Sequence, residues 1–253
     1  MNYLPTDKMI SLIADDFRLI QVMSRFGIKV GFGDKSVAEV CSEAGVDTNT
    51  FLAVVNFVVD GFTNPAALSD LSVESLLQYL RQSHVYFLEY CLPAIRRKLL
   101  DGIKLRTTDV SFLILKFFDE YYTEVRAHME YEERTVFGYV RTLLDGMQLP
   151  DFHISTYSDH HEQVSSKLTE LKNIIIKYCP DDADANLLNA ALYDIYRVEE
   201  ELSNHCLVED LMFVPLVERL EGQGERSGAR CEERGTRSVE IEEIEDIKCG
   251  GDE

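Results

Sequence analysis

Two segments of the chain share the pattern His-x-x-x-Glu: residues 128–132 read HMEYE, and residues 205–209 read HCLVE. Each segment lies in a long run of apolar residues at helical spacing, and a further acid, Glu133 or Asp210, follows each one directly. Residues four positions apart lie on the same face of an α-helix. Each segment is therefore predicted to present an imidazole and a carboxylate side by side.

The residues that follow the two segments agree in phase. Eight, twelve and fifteen positions after each histidine the side chains are apolar: Val136, Val140 and Leu143 in the first case, Phe213, Val217 and Leu220 in the second. Apolar residues at this spacing indicate a helix face that is buried in a core. Both segments are thus predicted to direct His and Glu toward the interior of a helical protein.

A further histidine precedes each segment by one helical run. His84 lies 44 residues before His128, and His160 lies 45 residues before His205. Apolar residues follow both at helical spacing, namely Leu88, Leu92, Ile95 and Leu99 after His84, and Val164, Leu168, Leu171 and Ile175 after His160. His161 would fit the separation of 44 residues better, but its apolar stripe is poorer. We therefore prefer His160 and keep His161 open.

A helical hairpin with His on its first helix and His-x-x-x-Glu on its second thus occurs twice. Two such hairpins predict an all-α protein built on an up-down four-helix bundle, and bundles form metal sites from side chains on facing helices. Imidazole and carboxylate ligands suit iron, manganese or zinc. The predicted metal ligands are His84, His128, Glu132, His160, His205 and Glu209.

Two alternatives compete with this interpretation. A structural bundle without a metal would require all the matched positions to coincide by chance, although single His/Glu pairs four residues apart are common on helices. A ferritin-like oxidase would place Glu and His three residues apart as Glu-x-x-His, whereas this chain has His-x-x-x-Glu. The metal-binding bundle is therefore favoured.

Composition and charge limit the classes of partner. The chain has 253 residues and a formal net charge of −20, which disfavours binding to a nucleic-acid backbone or an anionic membrane surface. No apolar run approaches the roughly 20 residues that cross a bilayer, and the six cysteines suggest no disulfide framework. The first residues lack a secretory pattern. We therefore expect a cytoplasmic protein that binds neither nucleic acid nor membrane.

The chain is predicted to divide into three parts. Residues 1–62 form a small helical domain, in which apolar spacing indicates one helix from Lys8 to Met23, and Ser36 and Asp47 begin two further helices. The bundle occupies residues 63–220, with helices predicted from Ser72 to about Leu100 with an interruption at Pro93, from Thr107 or Thr108 to about Asp145, over 153–178, and over 185–220. Residues 221–253 are predicted to be a disordered acidic tail.

The bundle residues resemble hemerythrin-like proteins, and specifically the iron–sulfur cluster repair di-iron family. That family has a His before Leu-Pro, then His-x-x-x-Glu-Glu, then Asp or Glu before His, then His-x-x-x-Glu-Asn with an apolar pair and Pro. These appear here as His84 with Leu92-Pro93, His128 to Glu133, Asp159-His160, and His205 to Asp210 with Phe213-Val214-Pro215. The resemblance extends to about residue 220 and supports His160 over His161.

The resemblance implies a non-haem centre of two iron ions bridged by Glu132 and Glu209, with manganese or zinc as possible replacements. Oxygen-carrying hemerythrins have one more histidine ligand, so four histidines imply more open coordination positions. This favours reaction with nitric oxide, peroxide or oxygen, or release of iron, over oxygen carriage. Glu124 and Glu201, each four residues before a motif histidine, would line an access path or support the ligands, unless they are solvated helix acids.

The N-terminal residues resemble the small domain that precedes the bundle in the repair family. Residues 27–34 follow the sequence pattern of that domain, but Gly31 and Phe32 occupy the positions at which the family has two cysteines. Those cysteines would be the thiolates that handle iron or sulfur. Without them, the N-terminal domain is expected to serve docking or dimerisation.

The expected function is repair of iron–sulfur clusters damaged by nitrosative or oxidative stress, and the expected partners are the damaged iron–sulfur proteins. The alternative is sensing of oxygen, nitric oxide or redox state, or iron binding without catalysis, with small gaseous ligands as partners. A homodimer is compatible with both functions. The residues do not decide whether the protein is an enzyme.

Overall fold

The computed structural model describes residues 3–61, 68, 70–103, 109–147, 152–157, 166–179 and 182–222. Within these ranges the chain is helical and contains no β-strand. The α-helices are α1 (Met9–Asp15), α2 (Leu19–Arg25), α3 (Val37–Ala44), α4 (Thr48–Asp60), α5 (Val73–Val85), α6 (Leu92–Gly102), α7 (Asp109–Tyr131), α8 (Phe137–Leu144), α9 (Ser166–Tyr178) and α10 (Ala185–Val208). The predicted all-α class is therefore confirmed.

Three π-helical segments connect the α-helices of the bundle: π1 (Tyr86–Cys91), π2 (Glu132–Val136) and π3 (Glu209–Phe213). The first bundle helix is thus α5–π1–α6, the second is α7–π2–α8, the third is α9, and the fourth is α10–π3 continued by helical residues 214–222. α6 packs against α7 and α10, and α9 packs against the same two helices. Each of the four thus has two neighbours, as in the predicted four-helix bundle.

The predicted helix starts are made by side-chain caps. Ser36 and Glu39 form a reciprocal capping box at α3, with the Glu39 amide 3.3 Å from Ser36 Oγ and the Ser36 amide 2.7 Å from Glu39 Oε2. The Asp47 carboxylate accepts a hydrogen bond from the Thr50 amide at α4, and Ser72 caps α5 in the same way. These confirmed caps fix the positions at which three helices begin.

The structure differs from the predicted elements at three places. The helix expected from Lys8 to Met23 is split into α1 and α2, because Asp16 is extended and its carboxylate accepts a hydrogen bond from the Arg18 amide at 2.9 Å. The third bundle helix does not begin at residue 153, since Ile154–Thr156 form a short 3-10 turn instead. The fourth helix extends through residue 222, two residues beyond its predicted end.

Two apolar cores lie at opposite ends of the bundle. One is formed between α6, α7, α9 and α10, and it buries the predicted stripe residues Leu92, Ile95, Leu99, Leu168, Leu171 and Ile175. The other joins helices α1 to α4 to α5, α8 and π3. Within it, Phe26, which directly follows α2, packs against Phe51 and Tyr79, with ring centroids 5.4 and 4.9 Å apart. The N-terminal helices therefore share their core with one end of the bundle.

Several predictions fall outside the described residues. They concern His160, His161, Asp159, Val164, Thr107, Thr108 and residues 223–253 of the predicted tail. The predicted boundary between a domain at 1–62 and a bundle at 63–220 also stays a prediction. Among the helices that are described, none combines the length and apolarity needed to span a membrane.

Candidate metal centre

Both motif carboxylates begin a π-helical segment. Glu132 is the first residue of π2, directly after α7, and Glu209 is the first residue of π3, directly after α10. His84 lies two residues before π1. A π-helical turn inside an α-helix is rare and is often found at functional sites. The three bundle helices that carry His84, Glu132 and Glu209 therefore each depart from α-helical geometry at or next to these residues.

Four of the predicted ligands form one buried group. One side-chain ligand atom from each of His84, Glu132, His205 and Glu209 can be chosen so that all four lie within 4.8 Å of one another. His84 Nε2 lies 3.1 Å from Glu132 Oε2, and His205 Nε2 lies 3.3 Å from Glu209 Oε1. Both carboxylates are completely buried and both imidazoles nearly so. Helices that are far apart in sequence thus bring these side chains together.

A second group adjoins the first and shares Glu209 with it. His128, Cys206 and Glu209 have ligand atoms within 4.8 Å of one another. His128 Nε2 also lies 3.0 Å from Glu132 Oε1. The structure therefore brings together five of the six predicted ligands, while the sixth, His160, lies outside the described residues and its role stays a prediction.

Cys206 is the ligand-type residue that the sequence interpretation missed. It directly follows the motif histidine of α10, and the only signal for it was that position beside His205. The earlier segment has Met129 at the equivalent place. The pattern of matched His and Glu positions therefore gave no reason to single out a thiol.

Neighbouring side chains hold the ligands in place. Glu133 Oε1 lies 3.2 Å from Nδ1 of His84, and its other oxygen accepts a hydrogen bond from Arg81 Nε at 3.0 Å. The Tyr157 hydroxyl donates a hydrogen bond to the Glu132 carboxylate. Groups of this kind fix the ring orientation of a metal-bound histidine and orient a metal-bound carboxylate. Glu133, which appeared in sequence only as the acid after the motif, therefore has a positioning contact.

The electrostatics of the first group fit a cation. Burial, and then the nearby Glu132 charge, raise the pKa of Glu209 well above its ordinary value. Burial, and then His84, lower the pKa of His205 well below its ordinary value. Among the described residues, neither ring nitrogen of His205 has a hydrogen-bond partner. Buried carboxylates and neutral imidazole nitrogens are the donor set that a first-row metal ion takes, so the residues fit a metal.

The two repeated acids before the motif histidines make other contacts. Glu124 forms an ion pair with Lys167 on the surface. Glu201 forms a 2.7 Å ion pair with Arg25, a buried arginine of α2. The Arg25 guanidinium also lies 4.9 Å from the ring centroid of Phe87. Glu124 is therefore a solvated helix acid, and Glu201 connects the N-terminal helices to the bundle.

One face of the centre adjoins a cavity. Its volume is about 600 Å³, and His84, Glu133, Arg81 and Arg141 are among the residues that line it. Elsewhere His84 is covered by Phe137, whose ring stacks against the imidazole with centroids 5.2 Å apart. Among the four buried ligands, His84 is therefore the one that adjoins this cavity.

Comparison with known proteins agrees with this geometry. The family model for the Hemerythrin HHE cation binding domain matches residues 75–217, more than half of the chain. All six predicted ligands lie inside the matched range. The search of curated proteins found no match.

Proposed function

The chain belongs to the hemerythrin HHE cation-binding family, and from this premise we propose that it holds a di-iron centre that serves the repair of damaged iron–sulfur clusters. The damage would arise from nitrosative or oxidative stress. The proposed ligands are His84, His128, Glu132, His160, His205 and Glu209. Iron bound there would supply the redox and nitric-oxide or oxygen chemistry; manganese or zinc could occupy the same donors.

One observation carries the dinuclear proposal. The two groups of ligand atoms adjoin each other and share Glu209, and Glu132 approaches histidines of both groups. A carboxylate between two sets of imidazoles is the arrangement expected for a bridging ligand. Both carboxylates therefore support two neighbouring metal positions rather than one.

The surrounding residues have separate tasks. Glu132 and Glu209 would balance the charge of the cations, because both are completely buried. Glu133 would keep His84 in the tautomer that leaves Nε2 free for a metal. The two apolar cores on either side would keep bulk water away from the centre. The cavity beside His84 would be the path for a small ligand or for iron.

The metal content is tested first. Protein purified without oxygen is expected to contain two irons per chain, and its optical spectrum should change on exposure to air and to nitric oxide. Glu209→Gln should reduce the iron content, whereas Glu124→Gln, a change at a surface acid, should leave it unchanged. One zinc per chain, or no metal in the intact protein, would contradict the di-iron proposal.

The repair activity needs a separate test. A purified iron–sulfur enzyme is inactivated with nitric oxide and then incubated with the iron-loaded protein or with its Glu209→Gln variant. Recovery of activity with the unmodified protein alone is expected. If the iron-loaded protein restores no more activity than an equal amount of free ferrous iron, the repair proposal fails while the metal centre stands.

A second function, sensing of oxygen, nitric oxide or redox state, is favoured by a specific observation. Gly31 has a φ of +100°, a conformation that other L-residues rarely adopt, so a cysteine would be strained there. Arg25 also connects α2 to the centre: its guanidinium lies over the ring of Phe87. The ring centroids of Phe87 and His205 are 5.9 Å apart. A sensor would change its hydrodynamic radius or proteolysis pattern when the metal-loaded protein meets nitric oxide. Unchanged values would refute sensing.

Charge and cysteine content bear on the proposed surroundings. A formal net charge of −20 disfavours nucleic acid and anionic membranes as partners. The cytoplasm is the proposed location because the six cysteines suggest no disulfide framework, and the proposed partners are damaged iron–sulfur proteins or small gaseous ligands. A homodimer is part of the proposal, and light scattering of the full chain would test it.

A further inference from the structure

Cys206 places a sulfur atom among the ligand atoms of the metal centre. Its Sγ lies within 4.8 Å of a ring nitrogen of His128 and of a carboxylate oxygen of Glu209. Glu209 is also part of the buried group with His84 and Glu132. The thiol therefore stands on the His128 side of the centre, next to the proposed bridging carboxylate.

The other described cysteines have different surroundings. Cys41 and Cys91 are buried within the apolar cores, where a cysteine acts as a small hydrophobic side chain. Cys179 is exposed at the end of α9. Only Cys206, among the described cysteines, belongs to a group of converging metal-ligand atoms. Packing alone therefore does not account for its position.

A second observation, in the adjoining group that shares Glu209, also indicates a ligand. His205, the residue before Cys206, is 1% exposed. Nε2 of His205 lies 3.3 Å from Glu209 Oε1, but within the described part of the chain neither ring nitrogen makes a hydrogen bond. Buried polar groups are normally paired, so an imidazole in this state is expected to bind an ion. The thiol is thus adjacent to a residue that itself requires a partner.

We propose that Cys206 binds, as a thiolate, the metal ion held on the His128 side of the centre. This inference rests on the proposed metal centre. On binding, the thiol proton is released to solvent and a metal–sulfur bond forms, with no electron transferred. A soft thiolate favours zinc or ferrous iron over manganese at this position. Cys206 would also give the chain one metal-binding thiolate, whereas residues 31 and 32, the positions of the two family cysteines, are Gly and Phe.

The test uses cobalt(II) as a probe in the full-length metal-free protein. We expect two cobalt ions per chain and a near-ultraviolet sulfur-to-cobalt charge-transfer band. Cys206→Ser and Cys206→Ala should both lose the band. Cys179→Ser, which changes the exposed thiol directly after α9, should keep it.

A second measurement does not depend on how a variant folds. The unmodified protein is alkylated with iodoacetamide with and without cobalt, and the labelled cysteines are mapped by mass spectrometry. Cobalt is expected to protect Cys206 and to leave the labelling of Cys179 unchanged.

The outcomes separate the two proposals. If two cobalt ions bind without a sulfur band and without protection of Cys206, the thiolate inference is refuted while the metal centre stands. A band that survives in both Cys206 variants also refutes it. If cobalt, iron and zinc all fail to bind to the intact protein, both the metal centre and the thiolate inference fall.

Discussion

Replacing Glu209 by glutamine is expected to stabilise the metal-free protein and to reduce its stabilisation by metal. The ligand oxygens of Glu132 and Glu209 lie within 4.8 Å of each other. At an effective dielectric constant of about 20, two unit charges at that distance repel each other by about 3.5 kcal/mol. Both side chains are completely buried, so solvent screens this repulsion little. Glutamine retains the shape of the side chain without its charge.

The metal-free protein can relieve part of this repulsion by taking up a proton. The raised pKa of Glu209 reflects that uptake. Only part of the repulsion then remains, and we expect a gain of about 1–3 kcal/mol for the variant near neutral pH. A carboxyl group whose folded-state pKa is raised binds more protons when folded. The free energy of unfolding of the metal-free protein should therefore fall as pH rises above the ordinary glutamate value of 4.5. This slope should be shallower in the variant.

Urea unfolding in the presence of a chelator measures both effects. The unmodified protein, Glu209→Gln and the surface control Glu124→Gln are compared at pH 5.5 and pH 8, and thermal unfolding is repeated with iron(II) or zinc. Glu124→Gln should behave as the unmodified protein, because Glu124 is 44% exposed. A Glu209→Gln variant that is less stable than the unmodified metal-free protein at pH 8 would refute the reasoning, as would one that gains the same stability from metal.

Three further changes test the supports of the centre. Glu133→Gln removes the charge that orients His84, and metal affinity is expected to fall roughly 10–100-fold in competition with a chromophoric chelator. Arg25→Met breaks a buried ion pair with Glu201. Because Arg197 still lies 3.4 Å from that carboxylate, we expect the free energy of unfolding in urea to fall by only about 1–3 kcal/mol. Deleting Arg134 from π2 should restore a regular helix, preserve the helical circular dichroism and reduce the metal bound per chain.

Matched controls make these results specific. Glu130 is an exposed acid about one helical turn before Glu133, and Glu130→Gln should not change metal affinity. Lys35→Met breaks an exposed ion pair with Glu43 and should destabilise the protein less than the change at Arg25 does. Deleting Glu200 from the regular part of α10 shifts the helix register and should destabilise the protein strongly. Equal effects in a variant and its control would contradict the proposed support.

The helical fold and most of the centre could be predicted because both depend on local periodicity. The apolar residues that follow each motif determine which face of the helix is buried, and that face carries His and Glu together. Val136, Val140 and Val217 are indeed buried where the spacing predicted them. Helix starts were equally predictable, since caps such as Ser36 use residues within one turn.

The remaining features depend on contacts that no local pattern encodes. The π turns at Glu132 and Glu209 were not predicted, because a spacing of four residues describes a regular helix and cannot reveal one extra residue in a turn. Arg25 meets Glu201 across 176 residues of sequence, and only tertiary packing brings them together. Cys206 was missed for a related reason, since its approach to His128 depends on how two helices face each other.

The position of the centre relates metal binding to stability. The polar group lies between two apolar cores, where two charged carboxylates 4.8 Å apart would repel each other by about 3.5 kcal/mol before proton uptake relieves part of that repulsion. A cation that binds only the folded chain stabilises it by about 2.7 kcal/mol when its concentration is one hundred times its dissociation constant. The two quantities are of similar size, so bound metal offsets most of the repulsion that its own ligands create. A strongly bound metal would thus be part of the stable fold, and its removal at that concentration is expected to lower the free energy of unfolding by about 2.7 kcal/mol.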